Sequence, residues 1–355
     1  MPYRHLKLQG FRSYTNFDVT LGPGVTIIVG PNGSGKTNLL EALYVISTGS
    51  SFRVGDKDLV NHNAEWFRIQ ALYDDDTRIL TYNPADTQSP KHFSLDGIKR
   101  TRLSYQQKIP VVLFEPDHLR LLSGPPSARR DYLDSVLGRL QPDFARARSQ
   151  FERALLQRNN ILRHAQRHTP VLDDQLFAWD IKLAELAESI VERRVGLISF
   201  INQYINELYS HIADAPSKVS LEYQTDIPLS HYKQKMLARL NALLNKDIVR
   251  GFTGVGPHRD DFVVHLNGAS SAHTASRGEV RTLLLTLKMI ELQLLQEQHN
   301  RPPLLLLDDV FSELDSVRRR TLAKLAEPYQ TIITTTDADH VKKHFAGKYT
   351  LLKRG

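Results

Sequence analysis

The length and composition of the chain predict a soluble protein of roughly two globular domains, since its 355 residues are 41% hydrophobic. The absence of cysteine excludes a disulfide scaffold, cysteine-ligated zinc and a thiol nucleophile. It also fits a reducing cytoplasm, where we expect the protein to lie. The sequence has neither the apolar core of a signal peptide nor a run of about 18 apolar residues, so it predicts no membrane segment. The formal net charge of +7 is compatible with a polyanionic partner such as DNA, although charge by itself does not identify one.

A strand, a glycine-rich loop and a helix follow one another near the N-terminus. Residues 24–29 form an apolar, β-branched run typical of a buried strand, and residues 38–45 carry apolar side chains at helical spacing. The loop between them has the P-loop pattern, and it stands in the structural context that a P-loop requires. Its residues are Gly30, Pro31, Asn32, Gly33, Ser34, Gly35, Lys36 and Thr37.

The P-loop residues predict a site for ATP and Mg²⁺. Glycines allow the backbone N–H groups to turn inward around phosphates without clashing Cβ atoms. Lys36 is expected to reach the β- and γ-phosphates and to support catalysis, and the Thr37 hydroxyl is expected to ligate Mg²⁺. The alternative, a glycine-rich turn that fits the pattern by chance, is disfavoured by the flanking strand and helix.

Two dipeptides predict tight β-hairpins. Asp96-Gly97 and Asn267-Gly268 each lie between alternating apolar residues, and such dipeptides favour the backbone of a two-residue hairpin turn. We therefore expect antiparallel sheet both before and after the middle of the chain.

Helical sequence fills much of that middle. In residues 139–168 and again in residues 183–204, apolar side chains recur at heptad-like spacing. Residues 169–174 break the pattern, so we predict two antiparallel helices that form a short coiled-coil-like arm. The positions assigned to its inner face are Phe144, Phe151, Leu155, Leu162, Leu183, Leu186, Ile190, Leu197, Phe200 and Tyr204.

The first helix of this arm is strongly basic. Seven arginines and two acidic residues lie between residues 139 and 167. Arg139, Arg146 and Arg153 are seven positions apart and are predicted to share one helix face, where guanidinium groups can contact DNA phosphates. The alternative is a solvated face whose arginines pair with acids of the neighbouring helix. The remaining arginines of the set are Arg148, Arg158, Arg163 and Arg167.

A second phosphate-binding cap is predicted at Ser276 and Gly278, just before an apolar helix. Serine and glycine at a helix N-terminus favour bound anions. The segment resembles the signature of ABC-type ATPases, which faces the γ-phosphate held by a partner's P-loop, so that ATP is sandwiched between two heads. An ordinary capping box that includes Glu279 is the alternative.

An acidic strand completes the predicted catalytic site. Residues 304–307 are four leucines typical of a buried parallel strand, and Asp308 and Asp309 follow them. Asp308 is predicted to ligate Mg²⁺, and Asp309 is predicted to act as general base or to orient the attacking water. ABC ATPases usually place Glu at the second position, so the shorter Asp309 predicts slow turnover.

The long separation of Lys36 from Asp308 predicts the fold class. A compact nucleotide-binding fold does not need such a gap, so a substantial insertion must divide it. We predict an α/β fold in which an ABC-type P-loop ATPase head, built of mixed sheets and helices, is interrupted by a mainly helical arm domain. The predicted domains are residues 1–135 and 246–355 for the two parts of the head and residues 136–245 for the arm.

Three further segments resemble the RecF family of bacterial recombination mediators, and the resemblance covers essentially the whole chain. Residues 124–134 and 254–262 look like the two signature segments of that family, and residues 8–14 are similar to the start of RecF, Rad50 and SMC heads. The resemblance implies that Arg12 and Ser13 approach the nucleotide. The sequence departs from the family pattern at residues 114–119 and at Val280, where Gln is common.

The resemblance implies a function that composition and residue spacing alone do not predict. It implies ATP-dependent homodimerisation, binding to double-stranded and to gapped or single-stranded DNA, and weak ATP hydrolysis that acts as a switch. It also implies a RecR-type partner and loading of a RecA-type recombinase at single-strand gaps, in DNA repair, the SOS response and replication restart.

Two other classes stay open at this point. A transporter ATPase subunit would be expected to carry an LSGGQ signature and a switch histidine, which this sequence lacks. A structural SMC or Rad50 relative would need helices that bridge long distances, and the predicted arm is too short for that.

Overall fold

The computed structural model describes residues 2–165, 169–345 and 349–354 and divides the chain into two compact units. We call Met1–His118 together with Lys288–Gly355 the first unit, and Leu119–Leu287 the second unit. The second unit is therefore an insertion in the sequence of the first. The three predicted domain ranges stay predictions.

The strands come mostly in the N-terminal third of the described chain, and three successive helices follow them. The strands are β1 (Tyr3–Phe11), β2 (Tyr14–Thr20), β3 (Val25–Val29), β4 (Phe67–Tyr73), β5 (Asp76–Tyr82), β6 (Lys91–Leu95), β7 (Ile98–Arg100), β8 (Val111–Phe114), β9 (Val219–Gln224), β10 (Asp261–Leu266), β11 (Ala269–Ser270), β12 (Leu304–Asp308), β13 (Thr331–Thr335) and β14 (Tyr349–Lys353). The helices are α1 (Lys36–Thr48), α2 (Pro126–Leu140), α3 (Pro142–His164), α4 (Pro170–Ala213), α5 (Tyr232–Ala242), α6 (Leu244–Arg250), α7 (Ser271–Thr274), α8 (Arg277–His299), α9 (Val310–Glu313), α10 (Ser316–Ala326) and α11 (Ala338–Lys342). Within the described residues, no helix has both the length and the apolar character that a membrane crossing requires.

Two sheets with α1 between them make up the core of the first unit. An antiparallel sheet has the order β2-β1-β4-β5-β6-β7, and a parallel sheet has the order β14-β3-β13-β12-β8. Alternate residues of β4 are buried, because only one face of its sheet covers the core, whereas every residue of β12 is buried, because a parallel sheet is covered on both faces. Helix α1 contacts β4 of one sheet and β13 of the other.

Both predicted hairpin turns are confirmed. Leu95 pairs with Ile98 across Asp96-Gly97, and Leu266 pairs with Ala269 across Asn267-Gly268. All four turn residues have positive φ angles, between 47° and 85°. Positive φ at both central positions is the geometry of a type I′ turn, which Asp-Gly and Asn-Gly adopt most readily.

A helix boundary separates Arg139 from Arg146 and Arg153. Arg139 lies in the last turn of α2, whereas the other two lie on α3. The prediction that all three share one helix face is therefore wrong. Gln141 is extended, with φ −132° and ψ 106°, because a following proline disfavours the helical conformation. Pro142 then occupies the first turn of α3, where its missing N–H has no cost.

The two predicted arm helices are α3 and α4, which pack against each other. On α4 the predicted inner positions up to Leu197 are buried, but Phe200 is half-buried and Tyr204 is 42% exposed, so the assignment of these two to the inner face is wrong. This part of α4 contacts β9, and a neighbouring stripe of side chains is buried there instead. The buried residues of that stripe are Ile198, Ile201, Ile205, Tyr209 and Ile212.

Two asparagines of α4 bind the free edge of β9, which is the outer strand of the three-stranded sheet β11-β10-β9. The Asn202 side chain accepts the N–H of Leu221 at 2.7 Å and donates to the carbonyl oxygen of Leu221 at 2.9 Å. The Asn206 side chain accepts the N–H of Val219 at 2.5 Å. The helix therefore satisfies backbone groups that a further strand would otherwise pair.

Candidate nucleotide and metal site

The P-loop connects β3 to α1 and has a backbone that depends on its glycines. Gly33 and Gly35 have φ angles of 80° and 88°, a region that favours glycine. A Cβ atom on Gly35 would lie 2.6 Å from the hydroxyl oxygen of Ser13, and a Cβ atom on Gly30 would lie 2.4 Å from the carbonyl oxygen of Arg354. Any larger residue at Gly30 or Gly35 would displace the loop.

Two polar side chains of the loop fit an anion. The Lys36 ammonium donates hydrogen bonds to the carbonyl oxygens of Gly30 and Pro31, both at 2.8 Å. The Ser34 hydroxyl is buried, and none of the described residues forms a hydrogen bond with it. A buried hydroxyl without a partner, an ammonium group and the N-terminus of a helix in one loop match the needs of a phosphate chain.

The two predicted metal ligands meet at the carboxyl ends of parallel strands. Asp308 is the last residue of β12, and the Thr37 hydroxyl lies 2.9 Å from each of its carboxylate oxygens. Thr334, on the neighbouring strand β13, donates its hydroxyl to Asp308 Oδ1 at 2.6 Å. One hydroxyl and one carboxylate suit Mg²⁺, since this ion usually completes its shell with water and substrate phosphates.

Asp309 has a strained backbone and a carboxylate with an unused acceptor. Its φ and ψ angles are 52° and 23°, a left-handed conformation that costs a non-glycine residue on the order of 1 kcal/mol. Asp309 Oδ1 is buried and accepts no hydrogen bond from the described residues. Burial raises the pKa of the Asp309 carboxyl, in the direction that suits a general base near neutral pH. Such strain concentrates at functional sites, which fits the predicted role.

The structure adds Arg53 and Glu115 to the site, and neither is predicted from the sequence. Glu115 directly follows β8, which pairs with β12 so that Phe114 lies opposite Leu307. Arg53 donates to Glu115 Oε2 at 3.0 Å and to Asp308 Oδ2 at 3.3 Å. Burial raises the pKa of the Glu115 carboxyl. The signal that could have found Glu115 is its place after a short apolar strand, the same pattern that identifies Asp308.

Arg12 and Ser13 lie against α1. The Arg12 guanidinium donates to the two carboxylate oxygens of Glu41 at 2.7 Å and 3.1 Å. The Ser13 hydroxyl accepts a hydrogen bond from the Asn38 side chain at 2.9 Å. Ser13 is thus next to the P-loop, while Arg12 is held by a carboxylate of α1. Their contact with a nucleotide stays a prediction.

Ser276 and Glu279 form a reciprocal capping box at the start of α8. The Ser276 N–H donates to Glu279 Oε2 at 2.7 Å, and the Glu279 N–H donates to the Ser276 hydroxyl at 3.3 Å. The structural alternative for this segment is therefore present in the molecule. Because Ser276 remains exposed, the contact of Ser276 and Gly278 with a second head stays a prediction.

Two arginines of the arm are engaged in internal ion pairs. Arg158 is fully buried and contacts Asp180 at 2.6 Å and Asp247 at 3.0 Å. Arg148 contacts Glu152 at 3.0 Å on its own helix and also reaches two acids of α2, Asp131 and Asp134. These two arginines therefore form ion pairs within the protein, as the alternative prediction has it. Their acidic partners lie on several helices and not on one neighbouring helix.

The predicted DNA-binding stripe is reduced to Arg146 and Arg153. Both are exposed and lie seven residues apart on one face of α3. Arg139 is half-buried on α2 and donates its Nε–H to the carbonyl oxygen of Ser135 at 3.1 Å. Arg167 lies outside the described residues. Whether this stripe binds DNA stays a prediction.

Known proteins of one family match this chain over nearly its whole length. Residues 3–351 match the family model described as the RecF/RecN/SMC N terminal domain. The DNA replication and repair protein RecF of Streptococcus suis is 34% identical over 349 residues, which cover 97% of this chain and 95% of the relative. The RecF of Lactobacillus acidophilus is 33% identical, with 95% and 92% covered.

A solved structure supports the same grouping. The structure of the recombination mediator protein RecF-ATPrS in the RecFOR pathway superposes with a TM-score of 0.84 at 28% identity, covering 96% of this chain and 93% of that one. The agreement of sequence and fold over nearly the full length favours this family over a transporter subunit. The chain belongs to the RecF/RecN/SMC family and, within it, to the RecF proteins.

Proposed function

We propose that the chain is an ATP-dependent DNA clamp of recombinational repair, in which ATP closes a dimer on DNA and slow hydrolysis reopens it. The observation that carries the proposal is the meeting of Thr37 and Asp308, from opposite ends of the chain, at 2.9 Å beside a glycine loop. Similarity to RecF-ATPrS supports a nucleotide at this place. Membership of the RecF proteins supports the work on DNA.

The residues predicted from the sequence each have a role in this proposal. Lys36 and the loop bind the phosphates, and Thr37 and Asp308 hold Mg²⁺, which when bound offsets the negative charge of the phosphates. Asp309 orients the attacking water and accepts its proton. Because Asp is one methylene shorter than the usual Glu, we expect slow hydrolysis, which suits a switch better than a motor.

The clamp needs a second copy of the chain and further partners. Ser276 and Gly278 of one copy contact the γ-phosphate bound by the other, so ATP favours the closed dimer through differential affinity. We propose that the closed dimer binds duplex and gapped DNA in the cytoplasm. With a RecR-type partner it helps to load a RecA-type recombinase. The names of the relatives and of the RecFOR structure support this setting.

Light scattering tests the proposal as a whole. The molar mass of the protein should double with Mg²⁺-ATP but not with ADP, and gapped duplex DNA should shift the dimer to lower protein concentration. A protein that stays monomeric with ATP on gapped duplex would rule out the clamp.

Ser276→Arg should separate nucleotide binding from dimerisation. The side chain is exposed at the N-cap of α8, so a bulky cation there should leave ATP binding by the monomer unchanged and block the approach of a second head. ATP affinity is measured by calorimetry and dimerisation by light scattering. Ala272→Arg, at an exposed position of α7, adds the same charge nearby and is the control. Normal dimerisation of Ser276→Arg would contradict the sandwich.

Neutralising Arg146 and Arg153 together should weaken the salt dependence of DNA binding. Each lost phosphate contact lowers the slope of log affinity against log salt by about 0.9, so the slope should fall by up to about 1.8. The matched control neutralises Arg239 and Lys246, which are exposed on α5 and α6. If both double variants changed the slope equally, only net charge would matter, and the stripe on α3 would not be the DNA surface.

A further inference from the structure

Arg53 sits between two largely buried carboxylates at the carboxyl ends of β8 and β12. Its Nη2 atom lies 3.0 Å from Glu115 Oε2 and 3.3 Å from Asp308 Oδ2. The carboxylate side chains are only 14% and 9% exposed, so each would be costly to bury without a cation. One guanidinium group therefore contacts both carboxylates and offsets one of their two negative charges.

Arg53 is one of three donors to the Asp308 carboxylate in the described residues. Asp308 Oδ1 accepts hydrogen bonds from Thr334 and Thr37, and Oδ2 accepts from Thr37 and Arg53. The single Thr37 hydroxyl hydrogen is shared between the two oxygens, so three donors face about four lone-pair sites, and Arg53 is the charged one among them. A metal ion that binds Asp308 Oδ2 would compete with the guanidinium for that oxygen.

Arg53 is the donor best placed to leave. The two threonines belong to α1 and β13, in the core of the first unit, whereas Arg53 lies in the loop that follows α1 and its side chain is 38% exposed. The loop backbone has hydrogen bonds that do not involve the guanidinium, since the Ser51 hydroxyl accepts the Val54 N–H at 3.3 Å. The same hydroxyl accepts the Arg53 N–H at 2.9 Å, and the Phe52 ring lies under the guanidinium at 5.1 Å.

We propose that Arg53 is a resident cation that takes the place of Mg²⁺ between Asp308 and Glu115, and that the metal must displace it when nucleotide binds. The inference rests on the proposed function, since it takes Asp308 as a metal ligand. Two cations repel each other at a shared carboxylate, so occupancy by Arg53 and by the metal is mutually exclusive. The site is then closed to free metal and opens only when phosphates supply further ligands.

Manganese binding tests the inference without any turnover. Mn²⁺ replaces Mg²⁺, a fluorescent non-hydrolysable ATP analogue occupies the P-loop, and electron paramagnetic resonance counts the free Mn²⁺. Arg53→Gln should lower the Mn²⁺ concentration at half-saturation by roughly fivefold, because the competing cation is gone. Affinity for the analogue in EDTA should not change. Arg4→Gln is the control, since Arg4 is an exposed arginine of the first unit that pairs with Asp75.

The outcomes distinguish this inference from the proposed function. An Arg53→Gln midpoint equal to or above that of the unaltered protein would overturn the competition. So would an equal loss of analogue affinity with Mn²⁺ and in EDTA, because Arg53 would then contact the nucleotide. If the unaltered protein bound the analogue equally well with and without Mn²⁺, the metal site at Asp308 itself would fail.

Discussion

Lys36→Ala should lower the affinity for ATP by on the order of 10²–10³-fold and abolish ATP-induced dimerisation, with the fold intact. The ammonium group is a charged donor in a loop with a buried, unpartnered hydroxyl at Ser34, and phosphate is the ligand that both groups fit. Within the described residues, the Lys36 ammonium donates hydrogen bonds only to carbonyl oxygens of its own loop. Lys36 is 8% exposed and its removal leaves two carbonyl oxygens without their donor, so the unfolding temperature should fall slightly while the fold stays intact.

Calorimetry with Mg²⁺-ATP measures the affinity, and light scattering measures the dimer. Lys57→Ala is the matched control, because it removes the same charge from an exposed position of the first unit. A Lys36→Ala protein that bound ATP as tightly as the control would refute the assignment of the P-loop.

Asp309→Asn and Asp308→Asn should fail in different ways, although the two residues are adjacent. Asp309→Asn keeps the metal ligand and the phosphate loop, so it should bind ATP and close the dimer while hydrolysis falls by on the order of 10²–10⁴-fold. With hydrolysis blocked, the dimer should leave DNA more slowly than the unaltered protein. Asp308→Asn should instead weaken Mg²⁺-dependent ATP binding and dimerisation together, since it removes the carboxylate beside Thr37.

The measurement combines ATPase rate, dimer fraction and DNA dissociation rate for the unaltered protein and both variants in Mg²⁺-ATP. Faster dissociation of Asp309→Asn from DNA would show that ATP does not close the clamp. Hydrolysis at the normal rate in that variant would remove Asp309 from the catalytic role. Asn has nearly the same size as Asp, so a packing defect is not expected to blur the comparison.

The centre of the site is predictable from sequence because its residues sit in local patterns. A strand, a glycine loop and a helix place Lys36 and Thr37, and four leucines followed by an acid place Asp308. The position of Glu115 depends instead on which strand pairs with β12, and Arg53 depends on the path of a loop. The apolar strand before Glu115 marks the end of a strand but not the strand that it pairs with, and no short pattern marks Arg53, so both residues are missed.

In the arm, too, residue spacing predicts local structure but not the contacts between elements. Spacing of seven predicts a shared face for three arginines, but α2 ends at Leu140 and α3 begins at Pro142, between Arg139 and the other two. Apolar spacing also predicts an inward Tyr204, because the sequence does not reveal that α4 changes its neighbour from α3 to β9. Periodicity identifies a helix well, whereas its buried face is set by the element that packs on it.

The asparagines on α4 have a consequence for the behaviour of the chain before it is fully folded. An outer strand with open N–H and C=O groups is a template for pairing with another molecule and so for aggregation. In the native fold Asn202 and Asn206 take the groups of Leu221 and Val219. That protection exists only once α4 has docked, so the interval before docking is when two nascent chains are most prone to associate through β9.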